Sequence, residues 1–445
     1  ASYTIVRRML NEGVFPQPGT VRIEEMVNYF PYAYPTPTNK VPFAVHNELA
    51  QCPWSEGHRL LRIGIKGKTL SEQKRPVNNL VFLLDTSGSM EAPNKLGLVK
   101  KSMNLLLKEL REEDTVAIVT YAGRAGIALR PCRCKHDNLE RIEDAIENLN
   151  AGGSTAGSEG IALAYDMAQQ EFDKDKNNRV ILATDGDFNV GVTNRDDLFA
   201  MIKEKASQGV FLTALGFGMD NLKDNTLEGL ADKGNGNYAY IDSLNEARKV
   251  LVDGVTGTLF TIAKDVKIQI EFNPAAVEAY RLIGYEDRLL AARDFNDDTK
   301  DAGEIGAGHT VTALYEIVPN GGASPEVDPL KYQPNPVAVR DEAPKNNARE
   351  IATVKLRYKM PNGDTSDKIE IPIPNTTKPC QSASEDFRFA AAVAEFGVLL
   401  RHSPYRGNAS YEQVIDLAQN AKGGDEYGYR TEFVQLVRSA ESLAR

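Results

Sequence analysis

The sequence predicts an α/β fold: a doubly wound, mostly parallel six-stranded sheet inserted into a β-rich scaffold and followed by a helical tail. Three observations carry this reading. Between residue 78 and about residue 256, short apolar runs alternate with helical patterns, the signature of an open sheet wrapped by helices. On either side of that segment the apolar period is two, as in half-buried antiparallel strands. From about residue 384 the period becomes helical, with Phe389, Val393, Phe396 and Leu400 on one face. A chain of 445 residues also exceeds what one hydrophobic core supports.

Residues 1–77 read as the first part of the scaffold rather than a complete domain. Residues 4–10 and 21–30 have helical character, and Gly13 follows the first as a stop signal. Pro31, Pro35, Pro37 and Pro42 then hold the chain extended. Strand-like runs follow at Phe43, Val45 and Leu49, and at Leu61, Ile63 and Ile65. Two strands alone form a marginal sheet, so they need partners from elsewhere.

Residues 78–256 form the α/β unit. Its strands are expected at 80–84, 116–121, 127–129 (a short edge), 180–183, 210–215 and 238–241. Helices are expected near 96–110, 138–149, 158–172, 195–207, 222–232 and 244–253. The run 80–84 is apolar at every position, which fits a strand buried on both faces.

Residues 257–380 complete the scaffold. Val266 to Phe272, Val311 to Ile317, Ala352 to Met360 and Ile369 to Ile373 alternate apolar and polar. Pro372 assigns the last of these to a sheet edge. Pro and Asn residues between 319 and 347 mark a long irregular connection. Residues 381–445 are the helical tail.

Composition excludes several functions. Fifty-two basic against 62 acidic residues give a net charge of −10, the wrong sign for nucleic acid. Five His and four Cys are too few and too scattered for a zinc or haem protein. No run of about 18 apolar residues is present to span a membrane. Cys52 and Cys380 fall in segments expected to share the scaffold, so an oxidised pair is an expectation for them. Trp54 is read as a core anchor.

The chemistry concentrates after the first buried strand, at Asp85-Thr86-Ser87-Gly88-Ser89. An Asp and two hydroxyls at alternate positions, with Gly88 allowing a tight turn, aim three oxygens at one point. Two further loops of the same unit are Gly152-Gly153-Ser154-Thr155-Ala156-Gly157 and Thr184-Asp185-Gly186-Asp187. In an open α/β sheet, ligands sit outside the carboxyl ends of the strands. Asp85, Ser87, Ser89, Thr155 and Asp185 are therefore expected to converge there, with Gly88 and Asp187 close behind. All the donors are hard oxygens, which selects Mg²⁺, Mn²⁺ or Ca²⁺ over zinc or copper. Hydroxyl ligands leave the ion with uncancelled positive charge, so an Asp or Glu carboxylate of another protein fits the open position.

These residues match the metal-ion-dependent adhesion site of von Willebrand factor A domains, Asp-x-Ser-x-Ser followed by a Thr and then an Asp. Cys52-Pro53-Trp54, residues 183–191, 234–242 and 303–310 resemble the YfbK-type bacterial envelope proteins. The resemblance implies a metal-dependent protein-binding module on the extracytoplasmic side of a bacterial cell envelope, lipid-anchored through a segment outside this sequence. It implies that Ser87, Ser89 and Thr155 bind Mg²⁺ through their hydroxyls, with Asp85 and Asp185 acting through water. No enzymatic activity is expected.

Two other readings stand beside this one. The unit could be a structural or assembly module whose site holds no functional metal. The first motif also resembles haloacid-dehalogenase phosphatases, but these need a second Asp where Ser87 stands, and a hydroxyl does not replace a carboxylate in proton transfer. Around Ser154 the nucleophile-elbow pattern ends in Ala156 instead of Gly, and Gly67-Lys68-Thr69 lacks the first Gly of a phosphate loop. Asp294, Asn296 and Asp298 begin like a calcium loop that Thr299 and Ile305 then break.

Overall fold

The computed structural model describes residues 1–38, 41–70, 75–154, 157–186, 195–218, 224–253, 258–284, 303–320, 349–361, 363 and 365–444. Helices α1 (Ser2–Asn11) and α2 (Ile23–Asn28) open the chain, followed by strands β1 (Phe43–Gln51) and β2 (Arg59–Gly67). The α/β unit begins with β3 (Asn78–Asp85), α3 (Leu96–Leu107), β4 (Thr115–Tyr121), β5 (Ala125–Arg133), α4 (His136–Glu147) and α5 (Gly157–Gln170). It continues through β6 (Asn177–Thr184), α6 (Arg195–Ser207), β7 (Val210–Phe217), α7 (Asp224–Lys233), β8 (Tyr238–Ile241) and α8 (Leu244–Arg248). Six strands follow: β9 (Thr261–Phe272), β10 (Val277–Leu282), β11 (Gly303–Gly306), β12 (Thr310–Pro319), β13 (Glu350–Lys359) and β14 (Ser366–Pro374). The tail is α9 (Glu385–Leu400), α10 (Tyr411–Gln419) and α11 (Tyr429–Ala444).

The central sheet has the order β5-β4-β3-β6-β7-β8, parallel except for β5, which runs antiparallel to β4 at the edge. Every residue of β3 is buried, because helices cover both faces. Leu80, Phe82 and Leu84 pack toward Val99, Met103 and Leu106 of α3, while Val81 and Leu83 face Ile161 and Ala164 of α5. This two-sided burial explains the unbroken apolar run, since each face needs every second residue.

Two antiparallel four-stranded sheets make the scaffold, in the orders β1-β2-β12-β10 and β11-β9-β13-β14. β2 precedes the α/β unit and β12 follows it, yet they are neighbours, with Leu61 opposite Tyr315 and Ile63 opposite Ala313. The unit is thus an insertion between paired scaffold strands. Pro372 lies in β14, an edge strand. β10 and β11 escape sequence reading: β11 is four residues with a Gly at each end, and its pairing with β9 defines it rather than any period. β5 is longer than the short edge expected. The expected helix over 244–253 is α8 followed by a π-helical turn at Lys249–Asp253, where Lys249 Nζ donates to the carbonyl of Tyr29 and Leu251 stays in the core.

α9 is buried around its whole circumference, and Trp54 is fully buried in the same tail-side core. Gly397 lets α2 approach, since a Cβ there would sit 2.7 Å from Ile23 Cγ1. Cys52 and Cys380 share this core as free thiols, so the expected oxidised pair is not formed. Each closes its own local turn, Cys52 donating its N–H to His58 and Cys380 opening a short 3₁₀ turn. Among the described residues, no helix is long and apolar enough to cross a membrane. The residues 294–298 lie outside the described residues.

A buried ionic clamp fastens the α/β unit to the scaffold and the tail. Arg7 of α1 reaches Asp242 at 2.7 Å, Glu246 of α8 at 3.2 Å and Glu432 of α11 at 3.3 Å. Removing one partner of such a cluster strands buried charge. Arg7→Met should therefore cost about 3 kcal/mol or more, read as a lower urea midpoint for the full chain.

Glu395 of α9 is fully buried, with one oxygen accepting from Ser410 N at 3.2 Å and the other without a partner among the described residues. Burial pushes its carboxyl up from 4.5 to about 8. A group raised in the folded state binds its proton more tightly there, so its contribution is intact below about pH 4.5 and declines as pH rises toward about 8. Within that window the slope approaches 1.4 kcal/mol per pH unit, about the value of one pKa unit. Glu395→Gln should flatten this decline and be more stable than the unsubstituted chain at pH 8, by denaturation across the range.

Candidate metal site

At the carboxyl edge of the sheet the buried apolar run of β3 ends in Asp85, which is fully buried. A carboxylate there needs donors on every lone pair. Asp85 Oδ1 accepts from the Ser87 N–H at 2.9 Å and the Ser87 hydroxyl at 2.6 Å. Oδ2 accepts from Thr184 Oγ1 at 2.8 Å and the Tyr121 hydroxyl at 3.2 Å. One carboxylate therefore joins the ends of β3, β4 and β6. Burial pushes the Asp85 carboxyl up, the hydrogen bonds from Ser87 and Thr184 oppose that, and the nearby charge of Asp185 reinforces it.

The Ser87 hydroxyl donates to Asp85, so its oxygen is left as an acceptor. Ser89 Oγ lies 3.0 Å from Ser87 Oγ, on the exposed side of the loop. The glycine loop is fastened across this turn: Gly88 N donates to the carbonyl of Gly153 at 3.1 Å and Gly152 N to that of Thr86 at 2.8 Å. Asp185 follows Thr184 on the neighbouring strand and is 2% exposed, its Oδ2 accepting from Lys95 Nζ at 2.9 Å.

The structure thus brings Asp85, Ser87, Gly88, Ser89 and Asp185 to one edge of the sheet. Thr155 and Asp187 lie outside the described residues. Among the described residues, no three His, Cys, Asp or Glu side chains are grouped to hold a metal ion. Any cation here would rest on hydroxyls with few carboxylates, and the donors present fit a hard divalent ion.

Sequence reasoning missed three participants: Tyr121, Thr184 and Lys95. Thr184 and Tyr121 are ordinary last residues of strands, and only the register beside β3 reveals their role. Lys95 did leave a signal, since it immediately precedes α3, where the helix dipole disfavours a cation unless an anion compensates.

The fold and this constellation define a von Willebrand factor type A domain: the family model of that name matches residues 80–187. The model described as "Uncharacterized protein YfbK, C-terminal" matches residues 257–443, and one described as "von Willebrand factor" matches residues 1–62. "Uncharacterized protein YfbK" of Escherichia coli (strain K12) is 46% identical over 99% of this chain and 76% of its own length. The chain belongs to the YfbK family. "Uncharacterized protein sll0103" of Synechocystis is 31% identical over 42% of this chain and 43% of its own length. Human inter-alpha-trypsin inhibitor heavy chain H3 is 26% identical over 36% of this chain and 18% of its own length. Among solved structures, "von Willebrand factor type A from Catenulispora acidiphila" aligns with 90% of this chain and 91% of its own at 15% identity, with a TM-score of 0.46.

Asp85→Ala would remove the buried acceptor that Ser87, Thr184 and Tyr121 share. It should cost about 2–4 kcal/mol by chemical denaturation, since each stranded buried group costs about 1–3 kcal/mol. Ser89→Ala, on the exposed side, should leave the midpoint within about 0.5 kcal/mol of the original.

Proposed function

We propose that this chain is a divalent-cation-dependent protein-binding module of the extracytoplasmic bacterial cell envelope. Ser87, Ser89 and Thr155 hold Mg²⁺, or Mn²⁺ or Ca²⁺ in its place, through their hydroxyls, and Asp85 and Asp185 act through water. An Asp or Glu side chain of the partner protein completes the coordination. The observation that carries this reading is the orientation of Ser87. Its hydroxyl donates to Asp85 at 2.6 Å, which leaves its oxygen as an acceptor 3.0 Å from Ser89 Oγ. The type A domain match and the placement of Asp185 on the same edge support it.

The phosphatase reading loses ground on the same geometry. A nucleophilic carboxylate needs a free lone pair aimed at phosphorus, and Asp85 accepts four hydrogen bonds inside the protein. The reading as an assembly module without metal makes a separable prediction. Calorimetric titration of the full chain with Mg²⁺ and Mn²⁺ should give saturable heat, weakened at least about tenfold in Ser89→Ala, a loss of about 1.4 kcal/mol. Absence of saturable heat with either ion would favour the metal-free module. Pull-down from an envelope extract should recover a partner in Mg²⁺ that chelator releases and Ser89→Ala does not retain.

A further inference from the structure

Lys95 is a buried cation built into the edge of the candidate metal site. It is 8% exposed and its ammonium lies 2.9 Å from Asp185 Oδ2. Its stem crosses Gly218, just past the end of β7. A Cβ on Gly218 would come within 2.5 Å of Lys95 Cε and 2.8 Å of Cγ, so a side chain there would displace the Lys95 stem. Gly218 has a φ of 78°, which also favours glycine, and its carbonyl is held by the Tyr240 hydroxyl at 2.7 Å. The segments just past β6 and β7 therefore hold Lys95 at Asp185, in a place where the N-terminus of α3 opposes its charge.

We propose that Lys95 sets the charge of the cation site and so makes metal binding depend on an external carboxylate. This inference rests on the cation reading given above. Asp85 and Asp185 together carry two negative charges at most, and Lys95 cancels one of them. A divalent ion held by neutral serine hydroxyls then keeps uncancelled positive charge. A carboxylate arriving from outside supplies what the chain withholds. Two like charges facing one carboxylate in a buried setting interact strongly, so the ammonium also lowers the affinity for the bare ion.

The test uses Mn²⁺ alone as probe on the full chain, by calorimetry and by the loss of the free-ion paramagnetic resonance signal, with and without acetate. The unsubstituted chain should bind Mn²⁺ weakly and be tightened by acetate. Lys95→Met keeps the stem over Gly218 without the charge. It should bind Mn²⁺ about tenfold more tightly without acetate, a step of about 1.4 kcal/mol, and gain little from acetate. Lys95→Gln, which keeps a donor toward Asp185 without the charge, should behave likewise and serves if the Met variant folds poorly by circular dichroism. Lys95→Arg should stay near the unsubstituted affinity. Met and Gln variants that bind Mn²⁺ no more tightly than the unsubstituted chain would overturn the role of Lys95 while leaving the cation reading intact. Absence of saturable Mn²⁺ binding in every variant would remove the cation reading itself, and this inference with it.

Discussion

The arrangement at the edge of the central sheet depends on one carboxylate. Asp85 sits where the hydrocarbon interior of β3 ends, and four donors from the turn after it and from the ends of β4 and β6 converge on its two oxygens. Such a group is costly to bury and is tolerated because nothing on it is left unpaired. The consequence reaches outward. Because the Ser87 hydroxyl points inward to Asp85, the rest of the turn must present Ser89 to solvent. The glycine loop is joined to the turn by two backbone bonds, Gly88 N to Gly153 O and Gly152 N to Thr86 O. Rigidity at the base and polarity at the rim come from the same contact.

The periodicities carried most of the architecture because they report burial directly. The continuous run at 80–84 signalled two covered faces, and the alternation at 352–360 signalled one. Elements defined by their neighbours rather than by their own residues stayed invisible. β11 consists of Gly303, Glu304, Ile305 and Gly306, a string without a period, and exists because β9 offers it hydrogen bonds. The π-helical turn after α8 is of the same kind, since its reason lies in Tyr29, more than 200 positions away. The spacing of Asp85, Ser87 and Ser89 was legible because all three lie on one turn. The role of Thr184 was not, because it requires knowing that β6 lies beside β3.

Several interior ionic contacts stand where separate elements meet. Arg7 stands where α1, α8 and α11 meet, and Arg430 of α11 reaches Asp386 of α9 and the carbonyl of Pro31. Lys95 stands where the loop after β3 meets β6 and β7. At such junctions the hydrophobic surfaces of separate elements leave gaps, and a long cationic side chain can touch several carboxylates or carbonyls at once. Glu395 differs from these, an acid in the middle of a helix with no cation against it among the described residues.

The adjacency of β2 and β12 has a consequence for biosynthesis. All contacts within the central sheet join segments of one contiguous stretch, whereas Leu61 must wait for Tyr315 to be made before its strand has a neighbour on that side. Nearby contacts form faster than distant ones, so the inserted unit is expected to mature first, with the scaffold zipping shut around it afterwards. Until that happens β2 exposes one bare edge to other nascent chains, a hazard that natural sheets otherwise avoid. An insert that failed to fold would hold its flanking strands apart, and that open edge would mark the whole molecule for quality control.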